Sequence, residues 1–365
     1  MDPLSQAALG AVVAQSAGQR QLGLRVVAVG AVAGAMPDID VLFSINGDFI
    51  DQLITHRGIT HSLFFAPVAG PLLGWLVWKA ERPPVPGTAH QDRVRLYRWI
   101  LVVSLAIFSH PLLDLLTPYG TQLLQPFSDT RFAINAMPII DPVYTLLLLL
   151  GLGIAWRFAK ADVSNSVPDT PARARPAQLT ALLTLILSTA YLGWGWALNR
   201  HTEVIAVQQL AAQGIRPVRL AAFPTVLQIH YRRVVARLPD QDLVGYYSNW
   251  APCEITWRGA TSAGGPLLDS YRNTREGRVF DWFSMGWTHY SLRPGSGGYD
   301  LIASDLRYGF DEDPARSIFS LSTRLDFTGL IRAPIAVGRD MRMDPGDTLA
   351  NLLTATYTPV CRFLQ

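Results

Sequence analysis

Residues 178–198 read QLTALLTLILSTAYLGWGWAL, a run of 21 residues without a charged side chain. A helix needs about 20 apolar residues to cross the ~30 Å hydrocarbon core of a bilayer, and Trp194 and Trp196 suit the interface at the end of such a span. Over the whole chain, 49% of the 365 residues are hydrophobic and 16% are charged, against roughly 25% charged residues in soluble domains. We therefore predict that this part of the chain lies in a membrane.

Further apolar segments precede this run. The segments long enough to cross a bilayer are residues 61–79, 97–117, 138–158 and 178–198. Two shorter segments, residues 4–17 and 22–36, are predicted to form a helical hairpin that turns at SAGQRQLG. The predicted fold of residues 1–199 is thus a membrane all-α helical bundle with about 4 full spans and a short N-terminal hairpin.

Basic residues are distributed unevenly among the connections. Residues 79–98 contain five Lys or Arg and residues 157–175 contain four, whereas residues 37–60 and 118–137 contain one each. Cytoplasmic loops are enriched in Lys and Arg, so the first two connections are predicted in the cytoplasm and the other two outside it. The opening MDPLSQAALGAVVAQ has no basic n-region, so no cleavable signal peptide is expected. We predict a multi-pass protein of a cytoplasmic (inner) membrane.

Residues 200–365 have the pattern of a soluble, mostly β domain of the α+β class on the extracytoplasmic side. The segment TEVIAVQQLAAQG extends a helix that is predicted to stop at Gly214. Alternation of apolar and polar residues predicts strands over 227–232 and 319–326, and RPGSGGYD predicts a turn. A short closing helix is expected near 347–356.

Composition excludes several classes of function. The two cysteines, Cys253 and Cys361, are too few for a thiolate zinc site or an iron–sulfur cluster; a disulfide between them and two free buried thiols are equally compatible with the sequence. A net charge of +3 does not indicate a nucleic-acid groove. The sequence has no G-x-S-x-G motif, P-loop or dinucleotide fingerprint.

Side chains that commonly bind metals occur at three predicted helix ends on the extracytoplasmic side. The motifs MPDID, THRGITH and SHPLLD supply Asp38, Asp40, His56, His61, His110 and Asp114. His110 and Asp114 are spaced i, i+4 and share one helical face, whether Pro111 kinks that helix or begins a new one. Imidazoles with carboxylates predict a divalent ion, zinc first and manganese or iron as alternatives.

Six candidate ligands exceed the three protein ligands typical of one catalytic zinc. Either some of them orient the imidazoles, or the site holds more than one ion. A metal-activated water would be the nucleophile, and Asp40 and Asp114 are the candidate general bases. Arg57 either clamps an anionic substrate group or anchors a helix end. Taken one at a time, these motifs also fit interfacial residues, helix caps or a proton path.

Other polar residues are weaker candidates. Asp129, Arg131 and Asp141 are predicted on the same side of the membrane, and Asp141 lies at the mouth of a span. Four further histidines are expected to be structural or solvated, namely His90, His201, His230 and His289.

The segments MPDIDVLF, THRGITHSL and SHPLLDLLTPYGTQLLQPFSDTRF resemble the membrane-bound, metal-dependent hydrolases, a family also described as LexA-binding, inner-membrane-associated hydrolases. The resemblance covers residues 1–150 and implies that the six residues above are metal ligands. Many members carry a histidine near the amino terminus, where this chain has Gln6, which implies one ligand fewer. Similarity of that family to helical zinc-dependent phospholipases C and single-strand nucleases implies phosphoester hydrolysis.

Three functions follow from these observations. The leading hypothesis is a metal-dependent hydrolase at the extracytoplasmic membrane face that acts on a phosphoester, or another ester, of a lipid or envelope substrate. The second is a transporter in which His110 and Asp114 bind an ion or relay protons, which calls for ionisable residues deeper in the spans. The third is a non-catalytic scaffold with a structural metal, whose β domain binds an envelope partner.

Overall fold

The structure is a computed structural model that describes residues 1–81, 89–163, 175–338 and 345–358. The chain divides into two compact units. The first contains Met1–Asn46, Thr55–Ile134 and Ile139–Trp194, and the second contains Gly47–Ile54, Asn135–Pro138 and Gly195–Gln365. The domain boundary predicted between residues 199 and 200 stays a prediction. The connections predicted at 79–98 and 157–175 lie partly outside the described residues.

Helices form the N-terminal part of the chain. In chain order they are α1 (Pro3–Leu22), α2 (Arg25–Ala35), α3 (Phe49–Thr55), α4 (Phe65–Ala80), α5 (Ala89–Leu115), α6 (Pro142–Val163) and α7 (Arg175–Ala212). Short 3₁₀ helices occupy Met36–Ser44 and Ile59–His61. The predicted hairpin is confirmed, and its turn is tighter than the sequence indicated because Gly23 takes a left-handed conformation directly after α1.

Within the described residues, four stretches are long and apolar enough to cross a membrane, which agrees with the predicted helical layout. They are Arg25–Ser44, His90–Leu115, Pro142–Lys160 and Arg175–Ala212. A fifth candidate is the pair Phe49–His61 and Phe65–Ala80, which is bent by 65°.

Three of the predicted segments differ from the structure. The first hairpin arm, predicted over residues 4–17, is not short, because α1 extends from Pro3 to Leu22 and has 20 residues. The second hairpin arm is not short, because the 3₁₀ helix that carries MPDID continues α2 as far as Ser44 and brings the stretch to 20 residues. The span predicted at 61–79 is not a single straight helix. It is the second arm of the bent pair, since the chain leaves its 3₁₀ helix at an extended Ser62 before α4 begins at Phe65.

Close helix packing sets the shape of the first unit. A Cβ atom at Gly10 would lie 2.3 Å from the carbonyl oxygen of Gly30, and one at Gly34 would lie 2.7 Å from the Cα of Gly10. Only glycine permits this approach of α1 and α2. The two helices also pack against α5, whose Trp99 and Val102 are buried in the shared core. This packing brings the C-terminal ends of α2 and α5 together.

The second unit contains two four-stranded sheets in which every neighbouring pair is antiparallel. The first sheet is β1 (Arg219–Pro224), β2 (Tyr231–Arg237), β3 (Gln241–Ser248) and β4 (Arg258–Thr261), in that order. The second is β5 (Thr288–Gly295), β6 (Gly298–Asp305), β7 (Ser320–Leu325) and β8 (Ala336–Val337). The remaining helices are α8 (Asp269–Arg272), α9 (Arg275–Phe283) and α10 (Pro345–Tyr357). The mostly β character of this region is therefore confirmed.

Most local predictions in this region are confirmed. The helix before the sheets ends at Ala212, and Gly214 has a φ of 74°, as a glycine after a helix C-terminus commonly does. The strand predicted over 319–326 is β7, the turn at RPGSGGYD joins β5 to β6, and the closing helix is α10.

The strand predicted over 227–232 is wrong for its first four residues. Strand β2 begins at Tyr231. Leu227 has a φ of 69°, and the side-chain oxygen of Gln228 accepts hydrogen bonds of 2.6 Å from the amides of His230 and Tyr231. These features stabilise a turn, so the local polar side chain overrides the alternating pattern.

No cysteine is free among the described residues, since Cys253 is disulfide-bonded. Cys361, the partner of Cys253 in the disulfide that the sequence allows, lies outside the described residues.

A candidate metal centre

The first two candidate ligands lie on the 3₁₀ helix that continues α2. Pro37 lies in its first turn, directly after α2, and proline has no N–H to donate to the last carbonyls of that helix. Asp38 and Asp40 follow, and Asp40 is buried while the side chain of Asp38 is 19% exposed. The segment MPDID therefore delivers two carboxylates to the end of α2, where α5 packs.

The HRG segment depends on unusual backbone geometry. Arg57 has a φ of 61°, a left-handed conformation that costs energy in a residue other than glycine. A Cβ at Gly58 would lie 2.9 Å from the carbonyl oxygen of Thr55, so this position requires glycine. The reversal lets the amide of Arg57 donate a 2.8 Å hydrogen bond to Asp40 Oδ2 and leads into the 3₁₀ helix that carries His61.

The last two candidate ligands lie on α5, which continues through Pro111 as one helix. The alternative in which Pro111 begins a new helix is therefore wrong. His110 and Asp114 are both fully buried, and 3.5 Å separates Nε2 of His110 from Oδ2 of Asp114. The i, i+4 spacing places them side by side, as the sequence indicates.

Four ligand atoms from these elements lie within 4.8 Å of one another. They are Asp38 Oδ1, His61 Nε2, His110 Nε2 and Asp114 Oδ2. The two Nε2 atoms lie 3.0 Å apart. Nε2 of His61 lies 3.4 Å from Asp38 Oδ1 and 3.3 Å from Asp114 Oδ2. Nε2 of His110 lies 3.3 Å and 3.5 Å from the same two oxygens. Bonds of 2.0–2.1 Å to a tetrahedral zinc separate neighbouring ligand atoms by about 3.3–3.4 Å. The spacing therefore fits an ion of this size.

The hydrogen bonds of the two histidines favour the same conclusion. Nδ1 of His110 lies 2.6 Å from the carbonyl oxygen of Gly34, and Nδ1 of His61 lies 3.1 Å from the Thr60 hydroxyl and 3.2 Å from Asp40 Oδ2. The Thr60 hydroxyl donates to Asp40 and is free to accept, so these contacts favour neutral rings that carry the hydrogen on Nδ1 and direct the Nε2 lone pair toward the other ring. Contacts of this kind orient histidine ligands in metal sites. Asp114 Oδ2 is also buried without a hydrogen bond, and its charged contact within the protein is the ion pair with Arg57 Nε at 3.0 Å.

A second group of candidate ligands adjoins the first. Asp38, Asp40 and His56 offer ligand atoms within 4.8 Å of one another, and Asp38 belongs to both groups. Nδ1 of His56 lies 3.0 Å from Asp40 Oδ1, and the His56 side chain is 27% exposed. The structure thus brings all six predicted ligands together, and it opens the cluster to its surroundings at His56 and Asp38.

Arg57 and Gln6 surround Asp114. Nε of Arg57 lies 3.0 Å from Asp114 Oδ2, and Nη1 of Arg57 donates a 2.7 Å hydrogen bond to Thr117. The amide of Gln6 donates a 3.0 Å hydrogen bond to Asp114 Oδ1, an oxygen that the amino group of Met1 also contacts. Arg57 is buried against a ligand and a helix end, and Gln6 lies beside the cluster, where the family resemblance implies a histidine in other members.

The weaker candidates lie elsewhere. Asp141 caps α6 by accepting hydrogen bonds of 3.0 and 3.1 Å from the amides of Val143 and Tyr144. Asp129, Arg131 and Asp141 belong to neither ligand group found in the described part of the chain. His90 and His201 are exposed, His230 packs edge-on against Trp250, and His289 is buried beside Asp242.

Sequence reasoning missed two neighbours of the cluster. The ring of Tyr119 lies under the guanidinium groups of Arg57 and Arg131, at 4.7 and 5.1 Å from their centres, and it contacts the His56 ring edge-on. The hydroxyl of Thr60 lies 3.3 Å from Asp40 Oδ2. A tyrosine after a Thr-Pro pair and a threonine between two histidines carry no chemical signal in a sequence.

These observations define a membrane protein with several candidate spans and a buried His/Asp cluster that can hold a metal ion. The chain belongs to the YdjM inner membrane protein family, whose sequence profile matches residues 1–202. This match covers helices α1 to α6, most of α7 and the whole cluster, and it supports an inner-membrane location. No solved structure matches the chain.

Two relatives illustrate the similarity. The inner membrane protein YbcI of Escherichia coli (strain K12) is 31% identical over 131 residues, which cover 35% of this chain and 69% of YbcI. The uncharacterized protein YfhP of Bacillus subtilis (strain 168) is 28% identical over 129 residues, which cover 35% of this chain and 36% of YfhP. The chain thus spans just over a third of the length of YfhP and about two thirds of that of YbcI.

Proposed function

We propose that this protein is a metal-dependent hydrolase embedded in the inner membrane, and that it cleaves a phosphoester of a lipid or envelope substrate. The observation that carries the proposal is the convergence of two imidazole nitrogens and two carboxylate oxygens within 4.8 Å of one another, with spacings of 3.0–3.5 Å at the histidines. An imidazole–carboxylate set is typical of zinc, manganese or iron sites, and zinc fits the spacing. When bound, such an ion supplies a Lewis acid and a water of lowered pKa.

The ligands differ in their surroundings, and this difference favours a catalytic over a structural site. His61, His110 and Asp114 are fully buried, whereas the Asp38 side chain is 19% exposed. Three fixed protein ligands are the number found in catalytic zinc sites, and a structural site has four closed positions. Asp38, at the open side, is the ligand best placed to share its position with a substrate.

The residues around the ligands have separate roles in this proposal. Asp40 orients His61 through Nδ1 and contacts Nδ1 of His56. His56 lies at the opening, so it is suited to accept a proton from the attacking water, with Asp40 behind it. Arg57 holds Asp114 in place. Because Arg57 already contacts Asp114 and Thr117, it has fewer N–H groups left to bind a substrate phosphate.

We place the site and the β domain on the extracytoplasmic side. The counts of basic residues support this orientation, and so does the disulfide bond of Cys253, because disulfides persist in oxidising compartments. A membrane-impermeant maleimide tests it on single-cysteine variants without the native cysteines. Thr130→Cys should react in intact cells and Arg93→Cys only after lysis; the reverse pattern would overturn the orientation.

The test of the proposed activity is to purify the full chain in detergent and to measure bound metal by elemental mass spectrometry and hydrolysis of bis(4-nitrophenyl) phosphate. We expect metal and hydrolysis in the wild type and in the control His201→Ala, and loss of both in the His110→Ala, Asp114→Ala double variant. Metal-free wild type after incubation with zinc, manganese and iron would overturn the metal centre. If the protein bound metal but hydrolysed none of the phosphoesters tested, the metal would be structural and the proposed hydrolase would be overturned.

A further inference from the structure

An apolar groove of about 490 Å³ lies along three helices of the first unit. Helix α1 packs against both α2 and α6, so α1 provides the floor of the groove and the other two helices provide its walls. The residues that define it best are Ala7 and Ala11 on α1, Ala28 and Ala31 on α2, and Leu152 and Trp156 on α6. We call this feature the α1–α2–α6 groove.

The groove exists because small side chains line two of its three helices. Eleven of its twelve lining residues are apolar, and Gln15 is the exception. Ala28 and Trp156 are exposed, so the groove opens sideways, away from the bundle core. In a bilayer this side meets hydrocarbon and not water. A flexible hydrocarbon chain is therefore the occupant that matches its chemistry.

The length of the groove matches one lipid leaflet. On α1 the lining extends from Leu4 to Gln15, and a rise of 1.5 Å per residue makes this about 16 Å. Half of the ~30 Å hydrocarbon core is about 15 Å. An acyl chain that follows the groove would thus cover one leaflet along its whole depth.

One end of the groove lies next to the metal centre. Gln6, which precedes Ala7, donates to Asp114, and the carbonyl of Gly34, one turn beyond Ala31, contacts His110. Both contacts lie within about one helical turn of lining residues. A lipid whose chain occupies the groove therefore carries its headgroup at the depth of the cluster.

We propose that the α1–α2–α6 groove binds one acyl chain of a phospholipid and thereby positions the headgroup phosphoester at the metal centre. The second part of this proposal rests on the proposed hydrolase function, whereas the first part does not. The substrate class would be a membrane phospholipid, in preference to a water-soluble phosphoester.

A photoreactive lipid tests the groove directly. The full chain is reconstituted in vesicles that contain a phosphatidylglycerol with a diazirine in one acyl chain, and the labelled peptides are mapped by mass spectrometry. We expect labels on α1 and α6. Ala28→Phe fills the groove from an exposed position and should lower this labelling about tenfold. Val32→Phe is the control, since Val32 lies on the same helix, is 73% exposed and does not line the groove.

The outcomes separate this proposal from the proposed function. Equal labelling of wild type and Ala28→Phe would overturn the groove, and so would labels spread over every exposed helix face. Groove labelling in a protein that binds no metal would support the acyl-chain site and overturn the hydrolase. Hydrolysis of bis(4-nitrophenyl) phosphate that survives Ala28→Phe, together with loss of phospholipid hydrolysis, would support both.

Discussion

The Nε2 atoms of His61 and His110 lie 3.0 Å apart, with the Nδ1 atom of each ring turned toward a protein acceptor. Two lone pairs at this distance repel each other unless a positive charge lies between them. A shared proton or a bound cation would relieve the repulsion, and the oxygens of Asp38 and Asp114 at 3.3–3.5 Å from His110 Nε2 could pair with either. A divalent cation could be held by all four atoms at once.

The first prediction concerns removal of the metal. A ligand that binds the native state alone stabilises it by about 4 kcal/mol at a thousandfold excess over its Kd. We therefore expect EDTA to lower the midpoint of thermal unfolding of the wild type in detergent and zinc to restore it. His61→Ala should unfold at the lower temperature and respond to neither reagent. His201→Ala, at an exposed position on α7, should behave like the wild type; an unchanged EDTA response in His61→Ala would contradict the assignment.

A second prediction concerns Gln6, which contacts a ligand without being one of the six. Its amide nitrogen lies 3.0 Å from Asp114 Oδ1, and loss of such outer contacts commonly lowers metal affinity 10–100-fold. We expect Gln6→Leu to weaken zinc binding by about this factor in competition with a fluorescent chelator. Gln19→Leu is the matched control, because Gln19 is buried on the same helix about 20 Å further along. Equal affinities of the two variants would show that Gln6 does not support the site.

The cluster could be predicted from the sequence because its six residues sit in three compact motifs, and the i, i+4 spacing of His110 and Asp114 fixes their proximity by helix geometry alone. The continuation of α2 into a 3₁₀ helix could not be predicted, since it depends on packing against α1 at Gly34. The left-handed backbone conformation of Arg57 also could not be predicted from the sequence. Its contact with Asp114 comes from tertiary structure and not from a local pattern.

The β domain also contains one strand that could be predicted from the sequence and one segment that could not. The strand at 319–326 was predictable because its alternation continues through β7, whereas the pattern before Tyr231 was misleading because Gln228 hydrogen-bonds the following amides. Side-chain to backbone hydrogen bonds of this kind compete with strand pairing, and hydrophobic periodicity does not register them.

A third prediction concerns acid sensitivity of the β domain at Asp242. Burial alone raises the pKa of Asp242, but hydrogen bonds from His289 and Arg237 outweigh burial and hold the pKa below its ordinary value of 3.8. A pKa lowered by folding stabilises the folded state above pH 3.8, and this contribution is lost as the pH falls through the folded-state pKa. Stability of the wild type should therefore decline at pH below about 3.8.

Asp242→Asn keeps the shape of the side chain and removes its charge. We expect lower stability at pH 7 and a shallower decline in acid, both measured by chemical unfolding followed through tryptophan fluorescence at pH 3, 5 and 7. Asp300→Asn is the control, since the Asp300 side chain is 49% exposed in its ion pair with Arg324 and surface pairs contribute little. Parallel pH profiles for wild type and Asp242→Asn would contradict the prediction.

The last prediction connects helix packing to the metal centre through Gly34. A Cβ at this position would lie 2.7 Å from the Cα of Gly10 and 2.8 Å from the carbonyl oxygen of Gln6, so Gly34→Ala must separate α1 from α2. Overpacking of this kind costs about 1–3 kcal/mol. The carbonyl of Gly34 also contacts His110 Nδ1, so its displacement should weaken zinc binding as well as lower the unfolding temperature. Gly153→Ala on α6 is the matched control.

A Cβ at Gly153 meets nothing within 4 Å, and replacing a glycine within a helix by alanine stabilises by roughly 0.5–1 kcal/mol. We therefore expect thermal unfolding to show lower stability for Gly34→Ala and higher stability for Gly153→Ala. Chelator competition should show a loss of metal affinity for Gly34→Ala alone. If Gly34→Ala lowered stability while zinc affinity stayed at the wild-type value, the approach of α1 and α2 would matter for the fold but not for the orientation of His110. The carbonyl of Gly34 would then have no part in holding the tautomer that presents Nε2 to the ion.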